Sequence, residues 1–475
     1  MENIVNKSLL RILCDKSDDA IAVYNPANDS LIGYIPSMNS DAIYEKINAS
    51  KVAQAEWQQT TASQRGAILK RWYDLMVENA DDLARIMTLE QGKPLAEAKG
   101  EVMYGAGFIQ WFAEEGKRAY GETIPTPANN KRILTIKQPV GVTAAITPWN
   151  FPIAMLARKA APALAAGCSC IVKPANQTPI SAYAIAELAY QAGLPQDLLI
   201  VLNSHSSIEV GTIFCGHDDI KKLSFTGSTE VGRTLLRQTA KTIKRTSMEL
   251  GGNAPFIVFD DADVDAAVQG AIASKFRNAG QTCVCANRFY VHDKIYDVFV
   301  DKFVTAVSQL NVGNGLDSNV AIGPLIDQNA KTSILEIINI ATKQGASIRY
   351  GGEAQSGNFI QPTVLTNVTH DMDIVQQEIF GPVAPIIRFE NDADLVQQAN
   401  DTIYGLASYF YCKDIQRAFH IAEELQYGMV GINEGIISTE VAPFGGIKQS
   451  GFGREGAKQG IEEYMNTKYI CLGGM

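Results

Sequence analysis

One cysteine in this chain stands where a thiol could do nucleophilic chemistry. In Gly280-Gln281-Thr282-Cys283-Val284-Cys285-Ala286-Asn287-Arg288 it follows a flexible glycine turn, a setting that can expose sulfur at a cleft. Most intracellular cysteines are small buried hydrophobes, so Cys283 taken alone is better read as packing. Two other segments supply company. Met248-Glu249-Leu250-Gly251-Gly252-Asn253-Ala254-Pro255 sets a carboxylate beside a glycine pair, and Thr147-Pro148-Trp149-Asn150-Phe151-Pro152 sets an amide at a strand's end. A fourth, Leu223-Ser224-Phe225-Thr226-Gly227-Ser228-Thr229-Glu230-Val231-Gly232, reads as strand, glycine turn and helix start. Free N–H groups and a partial positive charge at a helix N-terminus suit phosphate. Thr229, however, stands where G-x-G-x-x-G has its second glycine, so this segment alone serves equally as a dinucleotide loop or a plain β–α turn.

The elements that must position these groups alternate along the chain. Residues 51–116 are helical in pattern, with Trp57, Ile68, Trp72, Leu75 and Met76 spaced among charges. From 141 onward β-prone runs (141–147, 168–172, 199–202, 222–226) alternate with helical ones (180–192, 230–242), which reads as parallel α/β. A second such series begins at 254–258 and continues through helix 264–278, strand 288–291 and helix 294–310. Between the helical entry and the first series, residues 121–138 read as a projecting hairpin with Pro125, Pro127, Asn129 and Asn130 at its turn.

Bulk properties exclude several classes. At 475 residues and 46% hydrophobic composition, the chain has material for about three domain-sized units. A net charge of −10 leaves no basic footprint for nucleic acid. The most apolar stretch, 139–166, is broken by Asn150, Arg158, Lys159 and prolines, short of the ~20 uncharged residues of a membrane span. The start, Met1-Glu2-Asn3-Ile4, does not resemble a secretory signal, so a soluble cytoplasmic protein is expected. Eight cysteines in C-x-C or isolated positions and five scattered histidines argue against structural disulfides, zinc or a catalytic metal.

With Glu378-Ile379-Phe380-Gly381-Pro382 and Pro443-Phe444-Gly445-Gly446, the catalytic segments resemble the aldehyde dehydrogenase superfamily over nearly the whole chain. The resemblance implies an α/β fold with three parts. They are a Rossmann-like cofactor domain (1–119 and 139–250), a catalytic domain (251–443), and a β-hairpin oligomerisation arm with a C-terminal segment (120–138 and 444–475). It implies Cys283 as nucleophile, Glu249 as base and Asn150 as oxyanion donor. Thiolate addition turns an aldehyde into a thiohemiacetal that can expel hydride to NAD(P). A lost oxyanion donor costs about 2.7–4 kcal/mol. The remaining thioester needs water deprotonated, and a glutamate of ordinary pKa, about 4.3, must be raised toward about 6–7 to serve. Phosphorolytic relatives pair their cysteine with histidine, and acylating ones lack this glutamate, so hydrolysis to a free acid is expected.

The same resemblance assigns cofactor contacts to Trp149, Lys173, Asn176, Gly227, Ser228, Gly232, Glu378 and Phe380. NAD-preferring members usually carry glutamate where Asn176 stands. Asn176 and Lys173 suit a 2′-phosphate, so NADP is expected, with NAD tolerated. Arg158, Arg277 and Ser438 match the residues that clamp the distal carboxylate in the succinate-semialdehyde dehydrogenase branch, implying a small carboxylated aldehyde. Glutarate semialdehyde or another ω-oxo acid is the alternative substrate, and a non-catalytic thiol-redox protein the alternative class. Cys285 is either packing or the partner of a regulatory disulfide with Cys283. An arm with open strand edges implies a homodimer or homotetramer.

Overall fold

The computed structural model describes residue 1 and residues 3–475. Four helices fill the helical region: Ser40–Trp57, Ala62–Glu78, Ala80–Gln91 and Leu95–Glu115. The first starts before residue 51 because the Asn39 side chain accepts from the Ala42 amide and caps it. Thr61 and Gln64 form a reciprocal capping box on the second. The third stops at Gly92, whose φ of 94° is left-handed. A hairpin that the sequence pattern does not announce, Ala20–Tyr24 with Leu31–Pro36, precedes them.

Five parallel strands, Val142–Thr147, Ser169–Pro174, Leu199–Val201, Ile220–Thr226 and Arg245–Glu249, make one sheet, with the short antiparallel Gly451–Phe452 at its edge. Numbered along the chain, the five lie in the order 3-2-1-4-5, so the winding reverses between Val142–Thr147 and Ile220–Thr226. Chain leaving neighbouring strands in opposite directions opens a crevice at their carboxyl ends, where ligands of such sheets bind. The residues after these two strands, Trp149 and Gly227-Ser228, accordingly wall one cleft.

The second sheet has seven strands, in the order Ser347–Tyr350, Thr363–Val368, Val383–Phe389, Ala286–His292, Ala254–Val258, Ala407–Tyr411 and Met429–Ile432. All neighbours are parallel except the first pair. Phe256, Phe289, Tyr290 and Tyr409 are buried in its core. The hairpin read at 121–138 is Thr123–Ile124 against Lys131–Pro139, and Met465–Gly473 pairs with Lys131–Pro139 along its whole length. Among the described residues no helix is long and apolar enough to cross a membrane.

The chain enters the Cys283 segment through a left-handed turn. Helix Val264–Phe276 ends two residues before the periodic run does, because Asn278, Ala279 and Gly280 take φ of 52°, 56° and 75°. Left-handed backbone costs an L-residue about 1–2 kcal/mol, so the surroundings must impose it. They do: the Asn278 amide donates to Glu97 Oε2 at 2.8 Å, and Gln91 Nε2 donates to Asn278 Oδ1 at 2.9 Å. On the far side, a Cβ on Gly252 would lie 2.2 Å from the Cys283 carbonyl oxygen. Gly252→Ala is therefore expected to destabilise the fold by about 1–3 kcal/mol and to lower its unfolding temperature in a thermal melt, because backbone must move to admit the methyl group.

Candidate active site

Trp149, Asn150, Gly227, Ser228, Cys283, Glu378 and Phe380 line a cavity of about 210 Å³. It adjoins the switch-point cleft, about 1450 Å³, with which it shares Trp149, Gly227 and Ser228. Met155, Thr226 and Leu250, which carry no sequence signal of their own, complete parts of the smaller wall. Phe151 also lines it, and its place beside Asn150 was the available hint.

Burial pushes the Cys283 thiol up to about 12, with Arg158 and Arg277 opposing and Glu378 and Glu249 reinforcing. At neutral pH the resting side chain is a thiol and must lose its proton before it can attack. The Tyr409 hydroxyl donates to the Val284 carbonyl at 2.7 Å and pins the following turn. Cys285 lines neither cavity, its Sγ donating to the Lys275 carbonyl at 3.3 Å, and all eight cysteines are free thiols.

Glu249 closes strand Arg245–Glu249 at 2% exposure, and neither carboxylate oxygen has a hydrogen-bond partner. Burial, and then the charge of Glu455, raise its pKa well above the ordinary carboxylate range against the pull of Arg158, Lys159 and Arg454. Its Oε1 lies 2.8 Å from where a Cβ of Gly445 would stand, so the glycine of the Pro443–Gly446 motif makes room for this carboxylate. Glu249 is not on the cavity wall, but its charge acts on Cys283. The Asn150 Nδ2 donates to the Gln281 carbonyl at 2.9 Å, which fixes the amide plane. An amide nitrogen carries two protons, so one remains to be donated.

Towards the larger cleft, Phe380 has a left-handed φ of 53° and meets Trp149 edge to face, with centroids 5.6 Å apart. Gly252 N donates to Glu378 Oε1 at 3.0 Å, and burial raises this carboxyl to about 7. Lys173 lines the large cleft, and burial lowers it to about 8. No hydrogen bond or ion pair holds its ammonium among the described residues. Buried hydroxyls of Thr147 and Thr226, at the ends of the switch-point strands, also have no partner. These donors and the open crevice fit a dinucleotide carrying an extra phosphate. Asn176 is partly committed, Nδ2 donating to Ser204 O at 3.0 Å and Oδ1 accepting from Asn203. Ser228 caps helix Thr229–Thr239 by accepting from Val231 N. Gly232 lines neither cavity: a Cβ there would meet Leu250 Cδ2 at 2.5 Å, so it serves close helix packing.

The two arginines differ in environment. Arg158, 1% exposed, pairs with Glu455 and lies 4.3 Å from the Phe444 ring centre, while its Nη2 has no partner. Arg277 lies over the Phe151 ring at 5.3 Å. Among the described residues its guanidinium makes no hydrogen bond or ion pair. Ser438 is half-buried in a loop and bonds to neither arginine.

This thiol, carboxylate and amide between a switch-point cleft and a second α/β sheet belong to a recognisable class. Residues 13–470 match the model of the aldehyde dehydrogenase family, and the chain belongs to that family. It is 58% identical over 457 residues to the succinate-semialdehyde dehydrogenase (NADP+) GabD of Escherichia coli K12, covering 96% of this chain and 95% of that one. It is 56% identical over 452 residues to a glutarate-semialdehyde dehydrogenase of Pseudomonas putida KT2440, covering 95% and 94%. A crystal structure of an aldehyde dehydrogenase from Brucella melitensis biovar abortus 2308 superposes with a TM-score of 0.98 at 54% identity over the full length of both chains.

The raised pKa of Glu249 has a consequence for stability. A carboxyl whose folded pKa exceeds its unfolded value contributes stability that is complete below about pH 4 and is lost as pH rises through the folded pKa. Glu249→Gln is expected to melt above the parent protein at pH 8, with the difference vanishing near pH 4. Thermal melts across this range check it.

Proposed function

We propose that the chain oxidises succinate semialdehyde to succinate with NADP, accepting NAD less well. The observation that carries the substrate assignment is Arg277, an uncommitted guanidinium whose charge is felt at Cys283. A planar fork of donors pairs with a carboxylate in two bonds, and a chain of net charge −10 must attract an anion locally. Arg158, already paired with Glu455, can still offer its free Nη2, and Ser438 would complete the clamp.

In this reading the Cys283 thiol gives up its proton to solvent, with Arg158 and Arg277 favouring the thiolate, and the thiolate adds to the carbonyl carbon. The developing oxyanion meets the free Asn150 amide proton and the Cys283 backbone N–H. Lys173 would hold the extra phosphate of NADP and Glu378 its nicotinamide ribose, with Trp149 and Phe380 lining the same site, and the bound cofactor would supply the hydride acceptor. Expulsion of hydride, with its electron pair, as the C=O re-forms leaves a thioester on Cys283. Glu249 then removes a proton from water, which attacks the acyl carbon and releases the acid and the thiol. A carboxylate without hydrogen-bond partners, held basic by burial, is suited to that step.

The glutarate-semialdehyde relative supports a second substrate, because a carboxylate clamp does not measure chain length to one methylene. The proposed boundaries are those of the sequence, with 1–119 and 139–250 binding the cofactor, 251–443 carrying catalysis and 120–138 with 444–475 forming the arm. The strand Met465–Gly473 at the edge of its sheet supports assembly into a dimer or tetramer. Eight free thiols suit the reducing cytoplasm.

Initial rates with succinate semialdehyde, glutarate semialdehyde and an uncharged aldehyde, each with NADP and NAD, test the reading. Succinate semialdehyde with NADP is expected to show the highest kcat/KM; an uncharged aldehyde matching it would sink the substrate assignment. Arg277→Ala is expected to raise KM for succinate semialdehyde at least about tenfold, the loss of one charge-assisted hydrogen-bond pair, while sparing the uncharged aldehyde. Equal losses on both would remove the clamp.

A further inference from the structure

The turn between helices Ala80–Gln91 and Leu95–Glu115 lines no part of the small cavity, yet its polar side chains hold the segments that do. Lys93, 2% exposed, donates to the Asn150 carbonyl at 2.7 Å, pairs with Glu101, and stands 3.9 Å from the Phe151 ring centre. The other Glu101 oxygen accepts from Ile153 N at 3.0 Å and Ala154 N at 3.2 Å, the first turn of helix Pro152–Ala166. Asn278 approaches the same carbonyl from the nucleophile loop, its Nδ2 donating to Asn150 O at 3.0 Å and Gln281 O at 3.2 Å. Gln281 O is also the acceptor for the Asn150 amide. The carbonyl of Asn150 is thus fixed from two sides, and its side chain shares an acceptor with the loop that carries Cys283.

We propose that Lys93, anchored by Glu101, is a positioning residue for the oxyanion donor. Its bond to the Asn150 carbonyl fixes the peptide from which the amide projects, so that the amide proton is aimed before the thiolate adds. This rests on the reading of Asn150 as that donor. Preorganised donors act because no reorientation is needed at the moment of reaction, and a misplacement of about 1 Å can cost about 10²-fold in rate. Burial disfavours the charged ammonium of Lys93, and Glu101 offsets that cost. Glu101 also caps the helix that follows Asn150, so one ion pair sets both the approach and the exit of this turn.

A double-mutant cycle between Lys93→Met and Asn150→Ala tests the proposal, read as the first-turnover rate of NADPH formation from succinate semialdehyde, with KM and thermal melts recorded alongside. Lys93→Met alone is expected to slow the first turnover by about 10–100-fold with KM within about twofold. In the Asn150→Ala background it should cost less than about threefold, because the donor it aims is gone. The cycle is run in parallel with Lys93→Met/Glu101→Gln, which leaves no buried unpaired carboxylate, and the same pattern is expected. A slow Asn150→Ala enzyme on which either Lys93 change still inflicts its full factor overturns the positioning role alone. A normal first-turnover rate for Asn150→Ala overturns the oxyanion reading and this proposal with it.

Discussion

Each ion moved from water into a protein interior costs several kcal/mol after relaxation, and only good partners recover it. Helix Pro152–Ala166 is buried along its entire length, yet it carries Arg158 and Lys159. Both reach Glu455, near the C-terminal end of the chain, and their charges hold that carboxyl ionised against its burial. The negative charge so retained is then the strongest specific influence on Glu249, raising it beyond what burial alone does. The same Arg158 lowers the Cys283 thiol. A single buried ion triad therefore joins the cofactor sheet to the C-terminal segment and tunes both groups proposed to carry the reaction.

The site lies between layers. The first sheet supplies the switch-point crevice, with Thr147, Trp149, Thr226 and Gly227 at its mouth. The second brings Cys283 and the Glu378 loop against it, with Gly252 tight against the Cys283 carbonyl and donating to Glu378. The long N-terminal helices brace the junction through Gln91, Lys93, Glu97 and Glu101. Strained left-handed backbone at Asn278 and Ala279 is held at the point where these layers meet.

Much of this was legible in the sequence, for reasons that differ by residue. Most parallel strands between 142 and 258 announced themselves as β-prone runs between helical ones, with boundaries moved by only a few residues, whereas Arg245–Glu249 gave no such signal. Cys283, Glu249 and Asn150 stood out because thiol, carboxylate and amide sit in short segments whose order is informative together, and the structure lines one cavity with Cys283 and Asn150 while Glu249 is buried off its wall. Long-range partners were hidden: nothing near Arg158 points to Glu455, and an arginine in a substrate clamp and one in a buried ion pair read alike. Lys93 and Glu101 were missed because a charged residue in a helical pattern reads as a solvated face, although both are buried here. The early end of helix Val264–Phe276 is likewise imposed by Gln91 and Glu97, which local propensity does not register. Gly232 stands at the third glycine of the phosphate-loop pattern, the one that serves close packing, and a Cβ there would meet Leu250.

The central claim is that a carboxylated aldehyde is oxidised while bound to Cys283 and leaves only after Glu249 activates water. Peptide mass spectrometry of a Glu249→Gln variant, quenched in acid after mixing with succinate semialdehyde and NADP, tests it most directly. The account predicts a succinyl thioester on the peptide containing Cys283, cleared by hydroxylamine and absent when Cys283 is replaced by serine. An unmodified Cys283 in a variant that still reduces NADP once per active site would contradict it.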